Sequence, residues 1–465
     1  MTQPSLDKAG SAHERDGDNP PLRPSALAPA RTNAGGSGHS PTRAAAASAV
    51  GAIVDWYDYF LYGTASALVF SDVFFPTSDP STGQLASFAT FAIGFFFRPI
   101  GSIFFGHFGD RIGRKRMLVL TMLLMGTASA CIGLVPTHAQ IGLAAPVLLV
   151  ALRAVQGFAV GGEWGGAALM AVESAPRGKR ALFGSVVQSG AYVGQLVAYG
   201  AFYLTRTLVD NHAFMQWGWR IPFLISAVII AIGYFIRRGV SDTPEFLEAK
   251  VAGQIEKIPL WSALRQNPRS FLIIFGMRIG ENVANYMVLT FALAYATDHL
   301  DVESSTMLVA LMVTSAASLF SVPLIARIAD RFGYYPVYVF GAAAGIALAF
   351  PFMAGLRTGN TVVIIASTLV TLTLVEIAMA AVQQPIFTEL FDPQFRYSGA
   401  GFAYQVTAAL GGGLTPLIAT ELVNIAHGAT YLAATYMALF CAVSLGTTVA
   451  VRDRIRATHD RREPV

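Results

Sequence analysis

The chain has 465 residues, of which 54% are hydrophobic and 13% charged, with a net charge of +4. An ordinary soluble domain carries about 25% charged residues, so this composition excludes a globular protein that covers its surface with charge. The apolar residues come in runs long enough to cross about 30 Å of hydrocarbon as helices, without the roughly ten-residue alternating segments of an outer-membrane barrel. The fold class expected is therefore an all-α membrane protein.

In chain order, residues 1–43 are rich in Pro, Gly, Ser and Ala and mixed in charge, with no apolar h-region. They read as a disordered cytoplasmic tail rather than a signal peptide. Twelve transmembrane helices are predicted, over 44–70, 84–108, 117–136, 142–171, 181–205, 218–237, 270–297, 304–326, 336–356, 361–388, 398–426 and 429–451. The stretch 238–269 is long and polar and reads as a cytoplasmic linker with a short amphipathic piece, and 452–465 as a second cytoplasmic tail. The expected organisation is an N-terminal six-helix bundle over 44–237 and a C-terminal one over 270–451.

Basic residues orient the chain. The loops on the side of the first tail hold Arg111, Arg114, Lys115 and Arg116, then Arg177, Lys179 and Arg180, then Arg237, Arg238, Lys250, Lys257, Arg265 and Arg269, then Arg327, Arg331 and Arg396. The opposite loops hold only Arg206 and Arg357. This is the positive-inside pattern, and it puts both termini in the cytoplasm. The net positive charge is thus a topology signal, and no nucleic-acid partner is implied.

An internal repeat is visible. Asp110-Arg111-x-Gly113 in the loop after the second helix matches Asp330-Arg331-x-Gly333 after the eighth. Glu173 and Arg180 are matched in the same way by Glu389 and Arg396.

Ionisable residues inside the spans are the functional candidates, since each costs at least about 2.5–3.5 kcal/mol to insert. Helix 1 carries Asp55 and Asp58, three apart and so on one face. Helix 2 carries Arg98, and helix 4 carries Arg153 with Gln156 on the same face and Glu163 further on. Gln188, Tyr192, Gln195 and Tyr199 form a polar stripe on helix 5, and Arg278, Glu281 and Asn285 form another on helix 7. Helix 10 adds Glu376 and Gln383, and helix 11 adds Gln405. Asp55, Asp58, Glu163, Glu281 and Glu376 are the buried acids; Arg98, Arg153 and Arg278 are the buried bases. Arginine does not give up its proton. If all three arginines pair with carboxylates, up to two acids remain, and desolvation favours the neutral form of an unpaired carboxyl. Such a group takes up and releases a proton, the physical requirement of proton coupling. Asp58 is the first choice for it, then Asp55 and Glu163, with Arg153 as the partner that senses the change. The alternative is a set of static ion pairs holding helices 1, 2 and 4 together. Arg98 suits either a substrate carboxylate or a structural pair. Gln188, Tyr192, Gln195, Asn285, Gln383 and Gln405 suit substrate hydroxyls, or interhelical hydrogen bonds worth only about 0.6 kcal/mol.

Glycines at helical spacing in 157–168 and 190–200 read as close helix packing. Gly411, Gly412 and Gly413 ahead of Pro416 loosen helix 11. No P-loop, His-Glu-x-x-His or Gly-x-Ser-x-Gly elbow is present, and no nucleophile stands beside a base. Neither an enzyme nor an ATP-driven pump is expected, and no metal or cofactor. Cys131 and Cys441 read as packing residues. A channel and a transporter-shaped sensor are the remaining alternatives to a transporter.

Two six-helix halves joined by a basic linker resemble the major facilitator superfamily, which implies a midplane site and alternating access. The resemblance implies a cytoplasmic gate at Gly106, Asp110, Arg111, Gly113 and Arg114, with Asp330 and Arg331 as its second copy. In it Asp110 faces the start of helix 11, where a carboxylate is favoured by the helix dipole. The competing reading is that these residues only enforce topology. The blocks VDWYDYFLYG (54–63), FRPIGSIFFGHFGDRIGRKRM (97–117), LRAVQGFAVGGEWGGAALMAVESAP (152–176) and WGWRIPFLIS (217–226) resemble the metabolite:proton symporters. Residues 382–419 look most like the shikimate transporters, whereas helix 7 looks more like the wider family. What this implies is a monomer of the inner, or plasma, membrane that moves a small polar, carboxylated metabolite with a proton. In the superfamily's pattern, Arg153-x-x-Gln156-Gly157 is the helix 4 motif linked to proton transfer.

Overall fold

The structure, a computed structural model, describes residues 41–77, 79–112, 114–162, 180–238, 264–391 and 399–460. Among the described residues there are long helices and no strand. In the first half they are α1 (Pro41–Leu68), α2 (Pro80–Ile112), α3 (Arg114–Leu134), α4 (Ala144–Gly161), α5 (Arg180–Leu208) and α6 (Arg220–Arg238). In the second half α7 runs from Pro268–Tyr286 through a π-helical turn, Met287–Phe291, into Ala292–His299. Then come α8 (Ser304–Phe332), α9 (Tyr334–Arg357), α10 (Thr361–Thr371, Leu372–Ile377, Ala378–Glu389), α11 (Gly401–Thr407, Ala408–Gly413, Thr415–Ile425) and α12 (Tyr431–Ala450), with a short α13 (Arg452–Asp460) after them. The predicted helices are recovered, with ends shifted by a few residues. The predicted tail 1–43 up to residue 40, the end of the fourth span beyond 162, most of the linker, and residues 461–465 lie outside the described residues.

Local chemistry sets several ends. Asp79 accepts from the backbone N–H of Ser81 at 3.3 Å and of Thr82 at 3.1 Å, capping α2. Asn360 does the same for α10, with Val362 N at 3.0 Å and Val363 N at 3.2 Å. Pro268 opens α7, where its missing N–H costs nothing. At the end of α8, Gly333 takes φ 97°, and its N–H bonds to the carbonyl of Ala329 at 3.0 Å. A residue with a Cβ would strain there, which accounts for the glycine in the repeated motif.

Eight of the described helices are each long and apolar enough to cross a membrane, and α6 makes a ninth together with its bent lead-in Asn211–Gly218. The outer face is apolar: Phe320 is 79% exposed and Leu143 77%, while Asp58 is 1% exposed. Charge inside and hydrocarbon outside is the inverse of a soluble protein, and makes this a multi-pass membrane protein.

The halves repeat their packing. In the first, α1 touches α5 and α6, α2 touches α4, and α3 touches α6; in the second, α7 touches α11 and α12, α8 touches α10, and α9 touches α12. These are the contacts that a six-helix duplication produces. The two bundles meet along two seams, α2 against α11 and α5 against α8. The small residues read from the sequence serve these contacts. A Cβ on Gly157 of α4 would overlap the carbonyl of Gly94 on α2. At the α2–α11 seam a Cβ on Gly413 would lie 2.8 Å from the ring of Phe95. The glycine run Gly411–Gly413 ends a π-helical turn, so α11 is irregular where the sequence weakens it.

Candidate functional site: two polar cavities

The stripes on α5 and α7 and the inward face of α10 converge on one cavity. It is lined by Gln188, Tyr192 and Gln195 of α5; Arg278, Glu281, Asn282, Asn285 and Tyr286 of α7; Glu376, Gln383 and Gln384 of α10; and Trp56 and Tyr404. The Tyr192 hydroxyl donates to Glu376 Oε2 at 2.5 Å, joining the first half to the second across the cavity. Arg278 Nε lies 3.8 Å from Glu281 Oε2, and Asn282 donates to the same oxygen at 3.2 Å. The Arg278 guanidinium stacks on the Tyr404 ring at 3.3 Å and donates to the Tyr404 carbonyl at 3.1 Å. Gln195 accepts from Ser315 of α8 at 3.1 Å. One cation, two carboxylates, six amides and three phenols make a surface that can grip a small polar molecule by charge and hydroxyls together.

A second, smaller cavity lies within the first bundle and is lined by Asp58, Tyr59, Gly94, Arg98, Met125, Arg153, Gln156, Gly157 and Val160. Here Ser226 donates to Asp58 Oδ1 at 2.5 Å. Arg153 Nη1 donates to Gln156 Oε1 at 3.0 Å, and Gln156 donates to the Ser129 hydroxyl at 2.5 Å. Ser129 lies beside the Asp58 carboxyl. The Ser129 hydroxyl itself donates to the Met125 carbonyl at 3.1 Å, so Arg153 and Asp58 are neighbours through Ser129 and Gln156, with no ion pair between them among the described residues. Its charge is spread over aromatic faces, with Tyr62 at 4.0 Å and Phe91 at 5.2 Å. Arg98 rests on Phe95 at 4.2 Å and Tyr59 at 4.6 Å. A desolvated cation–π contact is worth about 2 kcal/mol, which offsets part of the burial of each guanidinium.

An aromatic partition lies beside Arg98. Tyr59 of α1 and Phe95 of α2 pack edge-on against Tyr286 of α7, at 5.9 and 5.4 Å between ring centres. Tyr59 lines the small cavity and Tyr286 the large one.

These placements differ from the sequence expectation in three ways. Among the described residues, Arg278–Glu281 is the one pair of a buried arginine and an acid within ion-pair distance. For helices 1, 2 and 4 no such pair is present among the described residues, where aromatic rings and Gln156 hold Arg98 and Arg153; Glu163 lies outside them. Arg98 and Gln156, expected at the substrate, line the small cavity with Asp58. Gln405 is buried, Asp55 is half-buried, and neither lines either cavity. Gln188, Tyr192, Gln195, Arg278, Glu281, Asn285, Glu376 and Gln383 do come together. Glu163 and Gly113, and the side chains of Asp110, Arg111 and Arg114, lie outside the described residues. Gly106 is buried in α2.

The second motif copy is described in full. Asp330 accepts from the backbone N–H of Ala181 at 3.2 Å and of Leu182 at 3.1 Å, at the first turn of α5. Tyr334 adds a hydroxyl donor at 3.0 Å. This is the contact expected of Asp110 with α11, made by its repeat partner at the other seam. Arg331 sits over Phe332 at 5.4 Å.

The Major Facilitator Superfamily model matches residues 48–416. The chain belongs to that superfamily. Among its relatives, a shikimate transporter of Escherichia coli K12 is 44% identical over 417 residues, 89% of this chain and 95% of the relative. An inner membrane metabolite transport protein, YhjE, of the same organism is 39% identical over 404 residues, 85% and 92% of the two chains. A proline/betaine transporter of Salmonella typhimurium is 32% identical over 420 residues, 88% and 83%. The fold matches the xylose transporter XylE from E. coli, in a partially occluded inward open conformation, with TM-score 0.68 and 16% identity over 89% of this chain and 97% of that one. The superfamily chain is a membrane transporter and not an enzyme.

Trp56, Asn282, Tyr286, Gln384 and Tyr404 line the large cavity and were not singled out from the sequence. Asn282 and Gln384 directly follow Glu281 and Gln383, and a wider reading of the polar stripe would have included them. Nothing distinguishes the aromatic residues from lipid-facing ones before the helices are packed.

Proposed function

We propose that the protein imports a small carboxylated, shikimate-like metabolite together with a proton, by alternating access between its two bundles. The observation that carries the reading is the buried Asp58 carboxyl, held by Ser226 and set beside Ser129, which Gln156 links to a guanidinium that has no carboxylate partner among the described residues. An acid without a cation in contact, deep in a membrane bundle, changes charge at the smallest cost when a proton arrives. That change is then felt at Arg153 on α4 and, through the packed aromatic rings, at the partition between the bundles. The substrate class rests on the 44% identical shikimate transporter and on Arg278, a planar fork suited to a carboxylate. The protein acts as a monomer in the inner membrane with both termini in the cytoplasm. Halves 44–237 and 270–451 rock about the linker 238–269.

The test is uptake of labelled shikimate, beside quinate, protocatechuate, citrate, 2-oxoglutarate and betaine, in cells with and without the gene. Concentrative uptake should collapse with a protonophore. Asp58→Asn should abolish accumulation with normal protein in the membrane; unimpaired, pH-dependent accumulation in that variant refutes the assignment.

A further inference from the structure

The large cavity holds an unbalanced charge. Glu281 of α7 and Glu376 of α10 both line it, with Arg278 as the cation among the lining residues. Arg278 lies 3.8 Å from Glu281, and Asn282 also serves that carboxyl. Glu376 has no cation within ion-pair distance among the described residues, and its contact is the Tyr192 hydroxyl at 2.5 Å. Both acids are buried, 3% exposed at Glu376 and 5% at Glu281. The other titratable groups around them are Tyr192, Tyr286, Tyr338 and Tyr404, with Cys441 near Glu281. None of these is a cation at neutral pH. Arg98 is the next guanidinium, and it rests on Phe95 and Tyr59 on the side of the small cavity.

With both acids ionised, the cavity carries two negative charges against one positive. A carboxylated substrate would add a third carboxylate to a desolvated space with one guanidinium, which charge burial forbids unless a resident acid is neutral. Glu281 keeps Arg278 and Asn282, so Glu376 is the group left to carry the proton. Its position favours this. Glu376 lies in the π-helical turn Leu372–Ile377 of α10, and its hydrogen-bond partner Tyr192 belongs to α5 of the other bundle. Rocking of the bundles changes that contact and the access of Glu376 to solution.

We infer that Glu376 is a second proton-carrying group, so that each carboxylated substrate enters with two protons, one on Asp58 in the small cavity and one on Glu376 in the large cavity. The Glu376 carboxylate takes its proton from the side to which the cavity is open. The substrate carboxylate then shares Arg278 with Glu281. After the bundles rock, substrate and proton leave to the other side. This rests on the reading of the protein as a proton-coupled carrier of a carboxylated metabolite, and deepens it.

The experiment uses purified full-length protein in sealed liposomes with labelled shikimate, the membrane potential clamped at zero by potassium and valinomycin, and a fixed proton gradient of about one pH unit. The inside-to-outside shikimate ratio at zero net flux reads the stoichiometry: about 100-fold for two protons and about tenfold for one, since each proton contributes one decade per pH unit. The expected result is about 100-fold for the wild type and about tenfold for Glu376→Gln. A wild-type ratio near tenfold overturns the inference, as does a Glu376→Gln ratio still near 100-fold. The wild-type ratio decides the proton number even where the variant carries nothing. If the wild type accumulates no shikimate under any proton gradient, the underlying reading of function fails, and this inference with it.

Discussion

Asp330 offers the most direct test of how the two bundles are held at one end. Its carboxylate accepts from Ala181 N at 3.2 Å and Leu182 N at 3.1 Å, so α8 of the second bundle caps α5 of the first. Loss of a capping acceptor costs about 0.5–2 kcal/mol, and a charge at a helix N-terminus adds roughly 0.3–1 kcal/mol. Asp330→Ala should therefore cost the closed seam about 1–2 kcal/mol, which lowers the closed-to-open ratio about 5–30-fold. Asp330→Asn keeps one carbonyl acceptor and should do less. Gln384 of α10 reports on the opening, because it faces Gly184 one turn along α5: a Cβ on that glycine would lie 2.7 Å from the Gln384 amide oxygen. With Cys131 and Cys441 replaced by Ala, a Gln384→Cys reporter should react with a membrane-impermeant maleimide about 5–30-fold faster in Asp330→Ala, in proportion to the open fraction. Arg331→Ala, which among the described residues removes a contact to Phe332, should leave the rate near that of the parent. Equal rates in Asp330→Ala and the parent would refute the latch, and leave the motif copy as a topology signal.

Two further outcomes follow from the packing. Arg153→Lys should lower proton-driven uptake at least about tenfold, because an ammonium neither spreads over Tyr62 and Phe91 nor keeps the fork that reaches Gln156; transport measured at matched protein levels checks it, and wild-type uptake would count against the role of Arg153. Gly157→Ala should destabilise the protein by about 1–3 kcal/mol through overpacking of α4 against the Gly94 carbonyl. A thermal unfolding midpoint unchanged in detergent would contradict that close approach.

Much of the architecture was legible because a membrane imposes a harsh filter. A helix must be about 20 residues long and apolar, so spans and their repeat could be read from the letters. The polar stripes could be read for the same reason: Gln188, Tyr192 and Gln195, or Arg278, Glu281 and Asn285, are conspicuous in apolar runs, and they do line one cavity. What the letters could not supply was rotation and partnership. Arg98 and Arg278 look alike as lone arginines in apolar helices, yet one lies among Tyr59 and Phe95 and the other beside Glu281. Counting acids against bases assumed that charges seek charges. Aromatic faces did that work for two of the three arginines, and an aromatic residue in an apolar run gives no sign of its task. The π-helical turns of α7, α10 and α11 were also invisible, since an inserted residue shifts a helix face without altering its composition.

Three of the twelve long helices are less apolar than the rest. Eight helices are each long and apolar enough to cross a membrane alone and α6 is so with its lead-in, which leaves α1, α5 and α7. These three hold Asp58, the Tyr192 stripe and the Arg278–Glu281 pair. A helix with such a face gains little from lipid, so its stability must come from neighbours that cover the polar side. That cover is found: α1 packs on α5, and α7 packs on α11 and α12. The same dependence ties insertion to the site. A substitution that makes α1, α5 or α7 more apolar would ease membrane entry and, by removing Asp58, Tyr192 or Glu281, dismantle the cavities.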